Sequence, residues 1–186
     1  MKFGLNNCRG AKGLGIFADH VPAVRSTSVP LPSGLDEKPF DFLVMKEKKQ
    51  LKYDIAYLRI AAEWSKLSYC KRKQVGAIIV RDRMIISDGY NGTPSGFENC
   101  CEDEEGLTQW FVLHAEANAI SKVARSTQTC ENATLYITLS PCKECSKLIH
   151  QSGIKRVVFQ HDYRDTTGLD FLEKAGIVVN QIEDLD

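Results

Sequence analysis

The sequence predicts an α/β layer fold on a mixed sheet, and three observations carry that expectation. Helical and strand periodicities follow one another in the order α, β-hairpin, α, β, α, β, α, β. The later strands are separated by helices, and such crossovers impose parallel pairing, whereas the first two strands are joined by a tight turn. The length, 186 residues, suits one domain with an appendage and buries enough surface to fold without staples.

Residues 1–44 stand apart. The stretch Val21–Gly34 is rich in Pro, Ser and Gly and shows neither period, so it is expected to be poorly ordered. Two readings stay open for it: a dispensable leader ahead of a functional start near Met45, or a mobile N-terminal arm. Residues 45–186 are expected to form the functional domain, with Met45–Lys49 a solvated run ahead of the first helix.

From Leu51 the pattern firms. Tyr53, Ala56, Tyr57, Ile60, Ala61, Trp64 and Leu67 recur at three and four, an amphipathic helix. Val75–Val80 reads as a buried strand, Arg81–Arg83 as a turn and Met84–Ser87 as its return. Gly89–Gly96 is a loop by composition, and Glu98–Gly106 is acidic. Leu113–Arg125 is helical, and Thr134–Thr138 is a strand. Ser140 and Pro141 supply an N-cap and a first helical residue for a helix reaching about Gln151, with Gly153 beyond it. Arg156–Phe159 is a strand, Leu169–Lys174 a helix stopped by Gly176, and Ile177–Val179 a last strand.

Composition excludes some functions. With 24 Lys+Arg against 24 Asp+Glu, the net charge is zero, and binding duplex nucleic acid through bulk positive charge is not expected. No apolar run approaches the roughly 20 residues of a membrane span. Met1–Ile16 holds Asn, Arg and Gly and no continuous apolar stretch, so no signal peptide is expected. The seven cysteines, at 8, 70, 100, 101, 130, 142 and 145, are odd in number and uneven in spacing. They read as thiols or metal ligands of a reducing, cytoplasmic protein.

Two short motifs carry chemistry: His114-Ala115-Glu116 and Pro141-Cys142-Lys143-Glu144-Cys145, each at a helix start. A helix N-terminus favours the thiolate form that a metal needs. His114, Cys142 and Cys145 are a donor set that Zn²⁺ prefers, and three protein ligands leave a fourth position for water. Glu116, two residues from a ligand, is placed to move that water's protons. Together the motifs form the His-x-Glu and Pro-Cys-x-x-Cys signature of zinc deaminases. The remaining histidines, His20, His150 and His161, have no partner at ligand spacing, and Cys8, Cys70 and Cys130 read as ordinary thiols.

Over about residues 51–180 the chain resembles the cytidine and deoxycytidylate deaminase zinc-binding family, its deoxycytidylate branch in particular. The resemblance rests on these motifs and on Ser68-x-Cys70-x-Arg72-x-x-Val75-Gly76-Ala77, Gly89-Tyr90-Asn91-Gly92-Thr93-Pro94-x-Gly96, His114-Ala-Glu-x-Asn118-Ala-Ile120 and Tyr163-Arg-Asp165. It implies a three-layer α/β/α sandwich of the cytidine deaminase-like kind, with a mixed five-stranded central sheet. It also implies hydrolysis of dCMP to dUMP and ammonia, with Glu116 giving a proton to N3 and later to the departing amine. Asn91 would read the deoxyribose 3′-hydroxyl, Tyr163 would close over the base, and Ala115 would line the substrate site. Ser68 and Arg72 are the candidate 5′-phosphate donors, since Arg offers a bidentate fork. Arg125, at the end of its helix, is a weaker candidate for the phosphate or for an oligomer contact.

The resemblance further implies a homo-oligomer, often a hexamer, activated by dCTP with Mg²⁺ and inhibited by dTTP. Family members often carry a second zinc in the insertion before the His-Ala-Glu motif. Here Cys100–Trp110 has no His, and Cys100 and Cys101 are adjacent, so one zinc per chain is expected. Two alternatives use the same scaffold: deamination of another cytosine nucleoside or nucleotide or of tRNA adenosine, and a non-catalytic zinc-binding, competence-type interaction protein. The Gly89–Gly96 loop and zero net charge disfavour RNA. Glu116 beside an open three-ligand site disfavours a purely structural role.

Overall fold

The computed structural model describes residues 38–185. Of the proposed leader, residues 1–44, positions 1–37, with Cys8 and His20, lie outside the described residues, and positions 38–44 are helical. The elements are α1 (Lys38–Ser65), β1 (Gly76–Arg81), β2 (Met84–Tyr90), α2 (Ala115–Ala124), β3 (Thr134–Leu139), α3 (Lys143–Gln151), β4 (Arg156–His161), α4 (Thr167–Lys174) and β5 (Val178–Gln181). They form one five-stranded mixed sheet of order β2-β1-β3-β4-β5. β1 is antiparallel to β2 and β3, and β4 is parallel to β3 and β5, as the crossovers require.

Alternation along the central strands builds a core on each face of the sheet. Ala77, Ile79, Leu135, Ile137, Val157 and Phe159 point to the face covered by Ala115, Ala119 and Val123 of α2, Ile149 of α3 and Leu172 of α4. Ile78, Val80, Tyr136 and Val158 point to the other face, against Leu58 and Ala61 of α1. The result is the three-layer α/β/α sandwich that the family resemblance implied. The β1–β2 hairpin turns on Asp82 and Arg83, both at positive φ (51° and 63°), the conformation a two-residue turn between twisted strands requires.

The structure corrects three local expectations. Helix α1 begins at Lys38, so the Met45–Lys49 run lies inside it rather than ahead of it. Lys and Glu are good helix formers, and these side chains stay exposed within the helix. Among its described side chains the buried ones are Asp54, Leu58 and Ala61, while Ala56 is exposed and Leu67, beyond the helix end, is 53 % exposed. Apolar spacing overlooks an inward carboxylate. Asp54 is tolerated there because Arg156 grips both its oxygens at 2.8 Å, and Gln50 (2.9 Å) and the Tyr136 hydroxyl (2.7 Å) donate to it as well. Gly89 and Tyr90, assigned to a loop, close strand β2 instead.

Candidate active site

The site forms where the N-termini of α2 and α3 meet beyond the carboxyl end of β3. Its narrow pocket, about 50 Å³, is lined by Val75, Asn91, His114, Ala115, Glu116, Leu139, Ser140, Cys142 and Tyr163. That is room for one or two waters.

Both ligand motifs are placed by helix caps. His114 is the N-cap of α2, with φ −75° and ψ 157°, and makes no side-chain cap bond, so its ring is free to turn toward α3. Cys142 is the N-cap of α3, with φ −72° and ψ 166°. The cap therefore falls two residues after Ser140, the residue expected to fill it. The cause is local: the Cys142 carbonyl receives the Ser146 N–H (2.9 Å) and the Ser146 hydroxyl (3.0 Å), closing the first turn there. Cys142 and Cys145 thus stand at cap and third helical positions, with Cys142 Sγ accepting the Cys145 backbone N–H.

His114 Nδ1 lies 3.5 Å from Cys142 Sγ and 3.3 Å from Cys145 Sγ. All three ligand atoms fall within 4.8 Å of one another. Tetrahedral zinc with its usual bond lengths needs ligand separations of about 3.5 Å, so the cluster fits Zn²⁺ in both donor type and spacing. Among the described residues this is the one group of three His, Cys, Asp or Glu side chains that converges in this way.

The electrostatics agree with a cation site. Hydrogen bonding from Cys145 draws the Cys142 thiol down to about 3 against its burial, and His114 and the Cys145 N–H add to the effect. Cys145 holds the shared proton and is pushed far above the ordinary thiol range by Cys142 and by burial. His114 is raised, mainly by its hydrogen bond with Cys142. A cation bound here would take the place of that proton and be held by both thiolates. Glu116 is 3 % exposed and hydrogen-bonded to Cys145. Burial pushes its carboxyl up to about 7, partly offset by its own backbone N–H and by His114. A carboxyl poised near neutrality can both accept and release a proton.

The other sequence candidates separate. Asn91, Ala115 and Tyr163 line the pocket with the ligand cluster. The Asn91 carboxamide accepts from the Val75 N–H (2.8 Å) and donates to the Lys73 carbonyl (2.8 Å), which fixes the side chain at the pocket wall. Ser68 is 4 % exposed, and its hydroxyl donates to the Asn91 carbonyl (2.7 Å) while accepting from Cys70 N–H (3.2 Å). It supports Asn91 from behind. Arg72 is exposed and donates to the Thr108 hydroxyl at 3.2 Å. It lines a separate cleft of about 700 Å³, together with Tyr69, Lys71 and the Asn99–Glu104 insertion. Arg125 caps the far end of α2 and is exposed. Within the insertion, Cys100 is exposed, whereas Cys101 is buried against Cys70 and its thiol is pushed up to about 12.

Sequence reasoning missed Ser140 as a site residue. Its buried hydroxyl accepts the Tyr163 N–H at 2.7 Å, and its N–H donates to the His161 carbonyl at 2.8 Å, so it sets the loop that carries Tyr163. Pro141 is the available signal, since the residue before proline is steered away from helical conformation. Gly168 was missed too. A Cβ there would lie 2.3 Å from the Pro141 carbonyl and 2.9 Å from the Cys142 carbonyl carbon, so α4 packs directly on the ligand turn.

Comparison with known proteins matches residues 51–161 to the cytidine and deoxycytidylate deaminase zinc-binding region. The chain belongs to that family. It is 37 % identical over 139 residues to the deoxycytidylate deaminase of Saccharomyces cerevisiae, a match covering 69 % of this chain but 44 % of the relative. It is 37 % identical over 165 residues to the deoxycytidylate deaminase of Enterobacteria phage T4, covering 66 % of this chain and 86 % of the relative. Among solved structures it is similar to the dCMP deaminase of cyanophage S-TIM5 in complex with dCMP and dUMP. That match has a TM-score of 0.67 and 48 % identity, over 68 % of this chain and 94 % of that one. No helix among the described residues is long and apolar enough to cross a membrane.

Proposed function

We propose that the protein is a zinc-dependent hydrolase that converts dCMP and water to dUMP and ammonia. The observation that carries this reading is the buried Glu116 carboxyl beside a His114/Cys142/Cys145 cluster, with Glu116, His114 and Cys142 lining one pocket. His114, Cys142 and Cys145 would hold one Zn²⁺ per chain, which supplies Lewis acidity and lowers the pKa of water toward about 7. The oxygen of a water in the pocket bonds C4 of cytosine and the C4–N bond breaks, while Glu116 takes the two protons of that water in turn, giving the first to N3 and the second to the 4-amino group, which leaves as ammonia. One carboxyl serves these steps because it releases what it has just accepted. Asn91 keeps a second amide hydrogen and an oxygen lone pair for the deoxyribose 3′-hydroxyl. Ala115 presents backbone to the base, and Tyr163 closes over it. Arg72 reaches the 5′-phosphate by leaving Thr108, with Lys71 and Lys73 beside it and Ser68 acting through Asn91.

The test is ammonia release from dCMP, CMP, deoxycytidine and dCTP. Preference for dCMP is expected. Activity confined to nucleosides would remove the phosphate assignments, and inactivity on all four would remove the function. Arg72→Ala should raise KM for dCMP and leave deoxycytidine turnover unchanged.

The same reading includes a cytoplasmic homo-oligomer, a hexamer by family resemblance. The exposed Phe97 (57 %), Leu107 (58 %) and Trp110 (93 %) of the insertion supply apolar surface for self-association. Light scattering of the purified protein tests it. Feedback by dCTP with Mg²⁺ and by dTTP is tested by adding each to the dCMP assay. On this reading residues 45–186 are the catalytic unit. A chain starting at Met45, compared with one starting at Lys38, tests whether the first turns of α1 are dispensable.

A further inference from the structure

Asn118 is bonded to both halves of the site. Its backbone N–H donates to the His114 carbonyl at 3.0 Å, closing the first turn of the helix that carries the ligand and Glu116. Its side-chain Nδ2 donates to the Tyr90 carbonyl at 2.7 Å. That carbonyl belongs to the peptide joining Tyr90 to Asn91, whose own N–H donates to the Val75 carbonyl at 3.1 Å. The peptide is thus pinned at both polar groups, and Asn118 is the side chain that pins it to α2. One step further along, Gly92 and Leu113 exchange backbone hydrogen bonds of 3.0 and 2.9 Å, so the two chains run together up to His114.

We propose that Asn118 is a positioning residue that holds the Tyr90–Asn91 peptide in place, so that the Asn91 side chain is set to receive the sugar. This rests on the reading of the protein as a dCMP deaminase with Asn91 at the sugar. Removing the amide donor lets the Tyr90–Asn91 peptide rotate without touching a ligand or Glu116. The Asn91 contact is made equally in ground and transition states, so its loss acts on KM and spares kcat.

The experiment compares wild type, Asn118→Asp and Asn118→Ala in zinc content, melting temperature, KM and kcat with dCMP. The Asp variant keeps the side-chain shape and suits a helix first turn, and it opposes the Tyr90 carbonyl with negative charge. Both variants should keep wild-type zinc content. KM should rise about tenfold, the worth of one hydrogen bond, with kcat within about threefold. A folded, zinc-loaded Asp variant with unchanged KM overturns the assignment, as does a fall in kcat that tracks zinc loss. Wild type inactive on dCMP overturns the parent reading and this one together.

Discussion

Gly89→Ala probes how closely the sheet must approach the helix that bears the site. The added Cβ would lie 2.2 Å from the Ala115 carbonyl oxygen, 2.7 Å from the Ala119 nitrogen and 3.1 Å from the Ala119 Cβ. Ordinary contact begins near 3.4 Å, and the nearest atoms are backbone, so α2 must retreat from β2 by about 1 Å. Overpacking of this kind costs about 3 kcal/mol at its upper end. For a domain of this size that corresponds to a fall in melting temperature of about 6–12 °C. The same shift carries His114 and Glu116 with it, and a misplacement of about 1 Å can cost about a hundredfold in rate. Calorimetry and dCMP turnover read the two effects. Gly92→Ala is the steric control, because its nearest neighbour would be Tyr90 Cε2 at 3.9 Å, and its melting temperature should stay close to wild type. Gly89→Ala melting within about 2 °C of wild type at full activity would refute the close-packing argument.

Gly168→Ala should push on Pro141 and Cys142 and weaken metal retention, read as zinc lost to a chelator at a concentration that wild type withstands. Chelation of wild-type protein should itself lower the melting temperature, since metal binding stabilises only the folded chain. Asp54→Asn should destabilise by about 3 kcal/mol in urea, because it strips a buried ion pair of one charge. Burial raises the Asp54 carboxyl, but its bonds to Arg156, Gln50 and Tyr136 outweigh this and hold it below its ordinary 3.8. Its stabilisation is therefore present above the unfolded value and lost as pH falls through the folded one. Wild type should lose stability more steeply than Asp54→Asn in the acid range below about pH 4.

What was legible in the sequence was what local spacing encodes. His114, Glu116, Cys142 and Cys145 sit within two short segments, each fixed by its own helix start, and the metal cluster follows once the segments meet. The hairpin and the parallel pairing of the later strands followed from the tight turn and the crossovers, whereas the antiparallel seating of β1 beside β3 did not. The rest depends on contacts between distant segments. Asp54 occupies a helix position that apolar periodicity passes over, and its partner Arg156 is on β4. Ser140 looked like a cap because cap residues are hydroxylated, yet its hydroxyl serves Tyr163 across a loop. Ser68 and Arg72 are neighbours in sequence, but one turns inward beneath Asn91 and the other outward over the cleft against the insertion. Gly89 reads as a loop residue, and nothing local marks Gly168, until the backbone lying against each is seen.

The central claim is that a metal-held site uses Glu116 to move protons to dCMP. Glu116→Gln measures it most directly, because it removes the ionisable group while preserving shape and leaving His114, Cys142 and Cys145 in place. Zinc content and dCMP turnover are determined on the same sample. The account predicts wild-type zinc with turnover reduced by at least about a hundredfold, the usual contribution of a general acid–base group. Full zinc with near-normal turnover would contradict it.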